Sequence, residues 1–260
     1  MAEPVPGFGL IVIGDELLSG KRSDKHFPHL LSLLAERGLE LRWVRMISDE
    51  PELITRTLEE TLASGDVVFS CGGIGATPDD RTRQCAAAAL GRSLSPHPEG
   101  VAILEERFGG PVDSEQRLQL VVFPEGSDLI PNPVNRIPGF SIAHHHFMPG
   151  FPSMAWPMMA WVLDHHYAHW QDAGRLAEQA IAVDGARESD MIPLLQRFER
   201  DYPDLRLSCL PTAHDKGFSL ELGLRGSPAA VEVAMKALRE AVEAMGFGWR
   251  AVAIDGIGGD

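Results

Sequence analysis

The chain has 260 residues, 44% of them hydrophobic, which allows one core domain of ordinary size and a smaller second one. Its 23 basic and 37 acidic residues leave a formal net charge of −14, which excludes a general nucleic-acid binder built on a basic face. Cys71, Cys85 and Cys209 form no paired framework and no stretch approaches the roughly 20 apolar residues of a membrane span, so no membrane partner and a cytoplasmic setting are expected.

Phe8 to Ile13 is a continuous apolar run and predicts a buried parallel strand ending at Gly14-Asp15-Glu16. Phe27, Leu30, Leu31 and Leu34 share one helix face, with Ser23 or Asp24 as cap and Gly38 as stop. Leu39 to Ile47 predicts a second strand with Leu41, Trp43 and Arg45 on one side. Ser48-Asp49-Glu50-Pro51-Glu52 opens a helix whose apolar set is Leu53, Ile54, Leu58 and Leu62, closed by Gly65. Asp49 is either the cap of that helix or a site residue. A third strand, Val67 to Ser70, leads into Cys71-Gly72-Gly73-Ile74-Gly75-Ala76-Thr77-Pro78-Asp79-Asp80-Arg81-Thr82.

The glycines of that stretch let the backbone approach a ligand closely. Thr77 reads as a helix cap with Pro78 at the first helical position. A helix start attracts phosphate, yet Asp79 and Asp80 would repel it. A divalent cation such as Mg²⁺, shared by Asp49, Asp79 and Asp80 with the phosphate, removes the conflict. Strands alternating with helices predict an α/β sheet, and ligands of such sheets sit beyond the carboxyl ends of the strands. Gly14, Asp15 and Glu16, then Asp49, then Gly72, Gly73, Gly75 and Thr77 all fall at such ends, so the expected partner is a small phosphorylated molecule.

Prolines then break the pattern from Ser93 to Pro138. A helix is predicted for Val101 to Phe108, a short strand at Val121 to Phe123, one strand from Phe140 to Met148, and a helix from Met154 to Trp170. In a strand only His144 and His146 of the His144-His145-His146 run share a face. His165 and His169 lie one helical turn apart without a metalloprotease glutamate, so both groups read as solvated or core histidines. Trp156, Met158, Met159 and Trp161 read as core or subunit interface. Cys71 has no evident histidine partner and reads as a small buried side chain rather than a nucleophile. A second unit starts after Trp170: a strand from Leu176 to Val183, a helix with Ile192, Leu195 and Phe198 inward, a hairpin of Leu205 to Leu210 and Phe218 to Leu224, and a helix from Ser227-Pro228 with Val231, Ala234, Leu238 and Val242 inward. The tail from Gly256 to Asp260 reads as flexible.

Gly14-Asp15-Glu16-Leu17-Leu18-Ser19-Gly20, Asp24, the stretch from Gly72 to Thr82, Pro138-Gly139-Phe140 and Met148-Pro149-Gly150-Phe151-Pro152 resemble, in order, the molybdopterin-binding domain of the competence/damage-inducible protein A (CinA) family. The resemblance implies a three-layer α/β/α domain with a mostly parallel sheet over residues 1–170 and a small α+β domain over 171–260. The resemblance does not extend to the family's C-terminal deamidase domain, so deamidation is not carried over. Ser48-Asp49-Glu50 and the Gly72 to Thr82 stretch are also similar to the MogA-type molybdopterin adenylyltransferases. That likeness implies Asp49 and Asp80 as functional carboxylates, Thr82 as a ligand-side hydroxyl, molybdopterin as ligand, and dimers or trimers. The CinA resemblance implies divalent-metal-dependent hydrolysis of the ADP-ribose pyrophosphate. The chain departs from the family pattern at Cys71, at Ala76, at Asn135-Arg136-Ile137 and at Ser153-Met154-Ala155. Two readings follow, a metal-dependent enzyme of the phosphoanhydride and a ligand-binding module without turnover.

Overall fold

The computed structural model describes residues 5–214 and 217–253. The chain forms two compact units, Met1–Gln171 and Asp172–Asp260.

The first unit is built on a six-stranded sheet. β1 (Phe8–Ile13) is flanked by β2 (Leu41–Ile47) and β3 (Val67–Cys71), and β8 (His145–Met148) follows β3, all four parallel. β7 (Gly139–Ile142) and β6 (Asp128–Ile130) close that edge antiparallel. Every residue of β1 is buried, because successive side chains leave a strand on opposite faces and both faces are covered. Phe8, Leu10 and Val12 pack with Leu30 and Leu34 of α2 (His26–Ala35) and with Met158, Met159 and Val162 of α7 (Pro152–His166). Ile11 and Ile13 pack with Ile54 and Leu58 of α3 (Pro51–Ser64), Ala86 of α4 (Thr82–Leu90) and Leu104 of α5 (Pro98–Phe108). The result is three layers, as the sequence predicts. The short helices α1 (Asp15–Leu18) and α6 (Glu115–Gln119) and a small ribbon of β4 (Leu94–Pro96) against β5 (Val122–Pro124) lie between these elements in the chain.

Local chemistry sets the element ends. The Asp24 carboxylate accepts the N–H groups of His26 and Phe27 at 2.9 Å each, which caps α2. Gly65 ends α3 in the left-handed conformation. The single strand expected from Phe140 to Met148 is instead a hairpin. Ala143 and His144 both take positive φ, 48° and 60°, and turn the chain between β7 and β8. The three histidines therefore do not share a strand face: His144 is in the turn, and His145 and His146 are buried. The helix expected to run to Trp170 ends at His166, and Ala168–Trp170 form a 3-10 turn. Met158 and Met159 are fully buried, and Trp156 and Trp161 pack against the same core from its margin.

The second unit is an antiparallel sheet. β9 (Ala177–Asp184) lies between β11 (Gly217–Gly226) and β12 (Trp249–Val252), and β10 (Arg206–His214) pairs with β11. α9 (Pro228–Ala244) buries Val231, Ala234, Leu238 and Val242, as its spacing predicts. α8 (Glu188–Asp201) buries Met191, Leu194 and Phe198, while Ile192 is exposed. Of its predicted face Phe198 is buried and Leu195 packs at the margin of the core, while Met191 and Leu194 take the inward place expected for Ile192, closing on Ile181 and Leu220 of the sheet in the same cluster. The expected tail, Gly256 to Asp260, lies outside the described residues.

Candidate functional site

The carboxyl ends of the four parallel strands meet at one rim. Gly14 follows β1, and its N–H donates to the carbonyl of Ile47 at the end of β2 (3.1 Å). Gly72 follows β3, and its N–H donates to the carbonyl of Met148 at the end of β8 (3.0 Å). A cavity of about 470 Å³ opens there, within the range of small-molecule sites. It is lined by Gly14, Glu16, Asp49, Gly72, Gly73, Gly75, Thr77, Asp79 and Asp80, all nine of them residues the sequence singles out.

The glycine turn is tight for stated reasons. Gly72 has φ 113°, and a Cβ on it would stand 2.3 Å from the Ile13 carbonyl oxygen. Gly73 has φ 67°, and its Cβ would meet the Thr82 hydroxyl at 2.2 Å. Only glycine fits both positions without displacing the backbone. Thr82 is fully buried. Its hydroxyl donates to the Gly72 carbonyl (3.0 Å) and its N–H to the Gly73 carbonyl (3.0 Å). It therefore holds the turn from behind, and the cavity-facing hydroxyl implied by resemblance is not what the structure places there. Arg83, a residue sequence reasoning leaves aside, is also buried and donates to the carbonyls of Gly75 and Gln119. Burial pushes its pKa below the usual guanidinium value, and the nearby Asp80 charge pushes it back up.

The helix after the turn starts at Thr82, not at Pro78. Thr77 to Asp80 form a β-turn closed by the Asp80 N–H donating to the Thr77 carbonyl (3.0 Å), with Pro78 in its favoured second position. Asp80 Oδ2 in turn accepts the Thr77 N–H (2.9 Å) and the Thr77 hydroxyl (2.5 Å). Thr77 is thus the partner of Asp80 rather than the cap of a helix.

Asp49 does not cap α3. Its Oδ2 accepts the Asp15 N–H at 2.9 Å, which ties the end of β2 to the end of β1. Burial pushes the Asp49 carboxyl above the usual carboxylate range; the Asp15 N–H opposes this, and the charges of Asp15, Glu16 and Asp79 add to it. Asp15 itself lies beside the cavity, as an N–H donor to Asp49, rather than in its lining. Among the described residues no three His, Cys, Asp or Glu side chains stand together as a metal site. Asp49 and Asp80 each have one oxygen engaged by backbone N–H and the other beyond it.

Lining residues that sequence reasoning leaves out of the site are Arg22, Leu120, Asn135, Ile137 and Pro138, and Pro149, Gly150, Phe151 and Met154 after β8. The ordered Pro138-Gly139 and Pro149-Gly150 pairs were the available signal. Arg22 is the one Lys or Arg in the lining among the described residues. Cys71 is fully buried, and burial pushes its thiol up, which removes it as a nucleophile. No helix among the described residues is long and apolar enough to cross a membrane.

A mostly parallel α/β sheet with a glycine turn and acidic loops at its carboxyl rim has the arrangement of a small-ligand-binding domain. The family described as "Probable molybdopterin binding domain" matches residues 9–169, and the chain belongs to it. Several relatives carry the name CinA-like protein. A CinA-like protein of Chlorobaculum tepidum is 31% identical over 230 residues, covering 84% of this chain and 53% of that one. A protein of Pyrobaculum calidifontis is 26% identical, covering 92% of this chain and 97% of that one. The crystal structure of a CinA protein of unknown function from Thermoplasma acidophilum shares the fold, with a TM-score of 0.57 at 24% identity, covering 62% of this chain and 97% of that one. The chain spans between a third and about half of the length of the CinA-like relatives it matches. The family match supports a molybdopterin-related ligand-binding role.

Proposed function

We propose that the rim cavity binds a phosphorylated pterin or nucleotide, with the phosphate against the glycine turn and near Arg22. The observation that carries this reading is the turn itself: Gly72, Gly73 and Gly75 present bare main chain to the cavity, and Thr82 and Arg83 hold their carbonyls from the far side. Titration calorimetry of the full chain with molybdopterin and with ADP-ribose tests it. Saturable binding of either ligand is expected, weakened in Arg22→Ala. The absence of binding by both at millimolar concentration would overturn it.

A second reading has one observation in its favour. Asp49 is pushed up by burial and by three neighbouring acids, so a cation arriving with the ligand phosphate relieves the rim. On this reading Mg²⁺ enters as part of the ligand, and the chemistry is cleavage of a phosphoanhydride, by water as in ADP-ribose hydrolysis or by a pterin phosphate as in adenylyl transfer. Release of AMP from Mg²⁺ and ADP-ribose, lost in Asp80→Ala, supports it. Binding without turnover under Mg²⁺ or Mn²⁺ leaves the binding module.

A further inference from the structure

Phe151 lines the cavity with its side chain outside the buried core. Its relative exposure is 57%, whereas Phe8, Phe69, Phe123, Phe140 and Phe147 are fully buried. Isolated exposed apolar residues are ordinary on protein surfaces. Val134, for instance, is 58% exposed and lines no part of the cavity. Phe151 differs in where its backbone is fastened.

Its carbonyl accepts the N–H groups of Met154 (3.0 Å) and Ala155 (2.9 Å), the first bonds of α7. Pro152 fixes the first helical position. On the other side, the His26 ring Nε2–H donates to the Gly150 carbonyl at 3.0 Å. Gly150 lies against the glycine turn: a Cβ there would stand 3.5 Å from Gly72 Cα, in van der Waals contact. The exposed ring is thus carried on a backbone held on both sides, one residue from the contact with the turn. An exposed aromatic face at a cavity margin is a surface on which a planar ring stacks.

We infer that Phe151 is the platform on which the ligand's heterocycle stacks while its phosphate lies at the glycine turn, so that the cavity selects a purine or pterin phosphate over a bare sugar phosphate. This rests on the phosphate-ligand reading above. The test is titration calorimetry of the full chain with AMP, with 6-hydroxymethylpterin phosphate and with ribose 5-phosphate. At least one ring compound binds more tightly than ribose 5-phosphate, by between about 5-fold and about 150-fold. Phe151→Ala abolishes that margin and leaves ribose 5-phosphate affinity unchanged, while Phe151→Trp keeps the margin. If ribose 5-phosphate binds as tightly as both ring compounds, or if Phe151→Ala keeps the margin or weakens all three ligands equally, the stacking role is overturned and the phosphate site stands. If none of the three binds, the phosphate-ligand reading falls and takes the stacking role with it.

Discussion

β8 carries two polar regions of opposite character. Its last residue, Met148, feeds the cavity rim with its acids; its first two are His145 and His146. The histidines are closed on themselves. His146 Nδ1 lies 2.7 Å from the Ser141 hydroxyl and Nε2 2.7 Å from the Tyr167 hydroxyl, so a neutral ring serves one as donor and the other as acceptor. His145 Nδ1–H donates to the Ala143 carbonyl (3.1 Å), and Nε2 lies 2.9 Å from the Thr61 hydroxyl. The rim is open: Asp49 and Asp80 each keep an oxygen beyond the one engaged by backbone, and both face a cavity. What separates a structural polar cluster from a binding one is spare hydrogen-bonding capacity at a surface, not the number of titratable groups.

The largest expected effect breaks the closed region. His146→Ala leaves the Ser141 and Tyr167 hydroxyls buried without a partner and opens a void, costing about 3 kcal/mol in urea unfolding. Ligand affinity at the rim is expected to be unchanged, and a loss of affinity at unchanged stability would invert the assignment of the two regions.

Acid gives an effect of similar size without mutation. Burial pushes the pKa of His145 down to about 4, with the Ala143 carbonyl opposing, and that of His146 well below its ordinary value. Above pH 6.5 both rings are neutral in folded and unfolded chains alike. As pH falls below 6.5 the unfolded chain takes up protons that the folded chain refuses, so stability is lost from 6.5 down to about 4, by about 3 kcal/mol for His145 alone. Unfolding measured at pH 7, 6, 5 and 4 checks the slope. A flat profile would remove the histidine pair as its source, and one unchanged in His145→Gln would remove His145.

The same contrast explains what the sequence shows and what it hides. The alternation of strands and helices, the three polar turns and the inward set of α9 depend on local periodicity and on glycine, which are legible residue by residue. The hairpin at Ala143-His144 has positive φ without a glycine to mark it. The Thr77-Pro78 pair has the look of a helix start because cap-then-proline is a common one, but the Thr77 hydroxyl donates to Asp80 Oδ2 instead of accepting a backbone N–H, and the segment closes as a β-turn. Arg83 carries no signal in the sequence, because only the tertiary approach of the Gly75 and Gln119 carbonyls gives it buried partners. Phe151 in a Pro-Gly-Phe-Pro string carries no sign of which way its ring faces.

Smaller effects belong to the open region. Asp80→Ala removes the acceptor of the Thr77 N–H and hydroxyl and costs about 1 kcal/mol of stability. Asp80→Asn keeps an acceptor oxygen for Thr77 and removes the charge. If the rim acts through a cation, both variants lose Mg²⁺-dependent affinity for ADP-ribose; if Asp80 only shapes the turn, Asp80→Asn retains it.

Asp49→Asn gives the smallest change and the sharpest one, because its sign opposes that of the histidines. The Asp49 carboxyl is held above the usual carboxylate range by burial and by Asp15, Glu16 and Asp79. A raised folded pKa means that the ionised form weakens the folded state at neutral pH, and that falling pH relieves this as the folded chain takes up the proton first. The side-chain amide introduced by Asp49→Asn keeps an oxygen to accept the Asp15 N–H while carrying no charge. The substitution is therefore expected to stabilise the chain at pH 7 by less than about 1 kcal/mol, since the group is partly solvated, and to lose that advantage toward pH 4. A stabilising substitution at a ligand-lining residue is what a rim organised for binding rather than for folding predicts. A destabilised Asp49→Asn at pH 7 would instead place Asp49 with His145 and His146 among the groups that hold the fold.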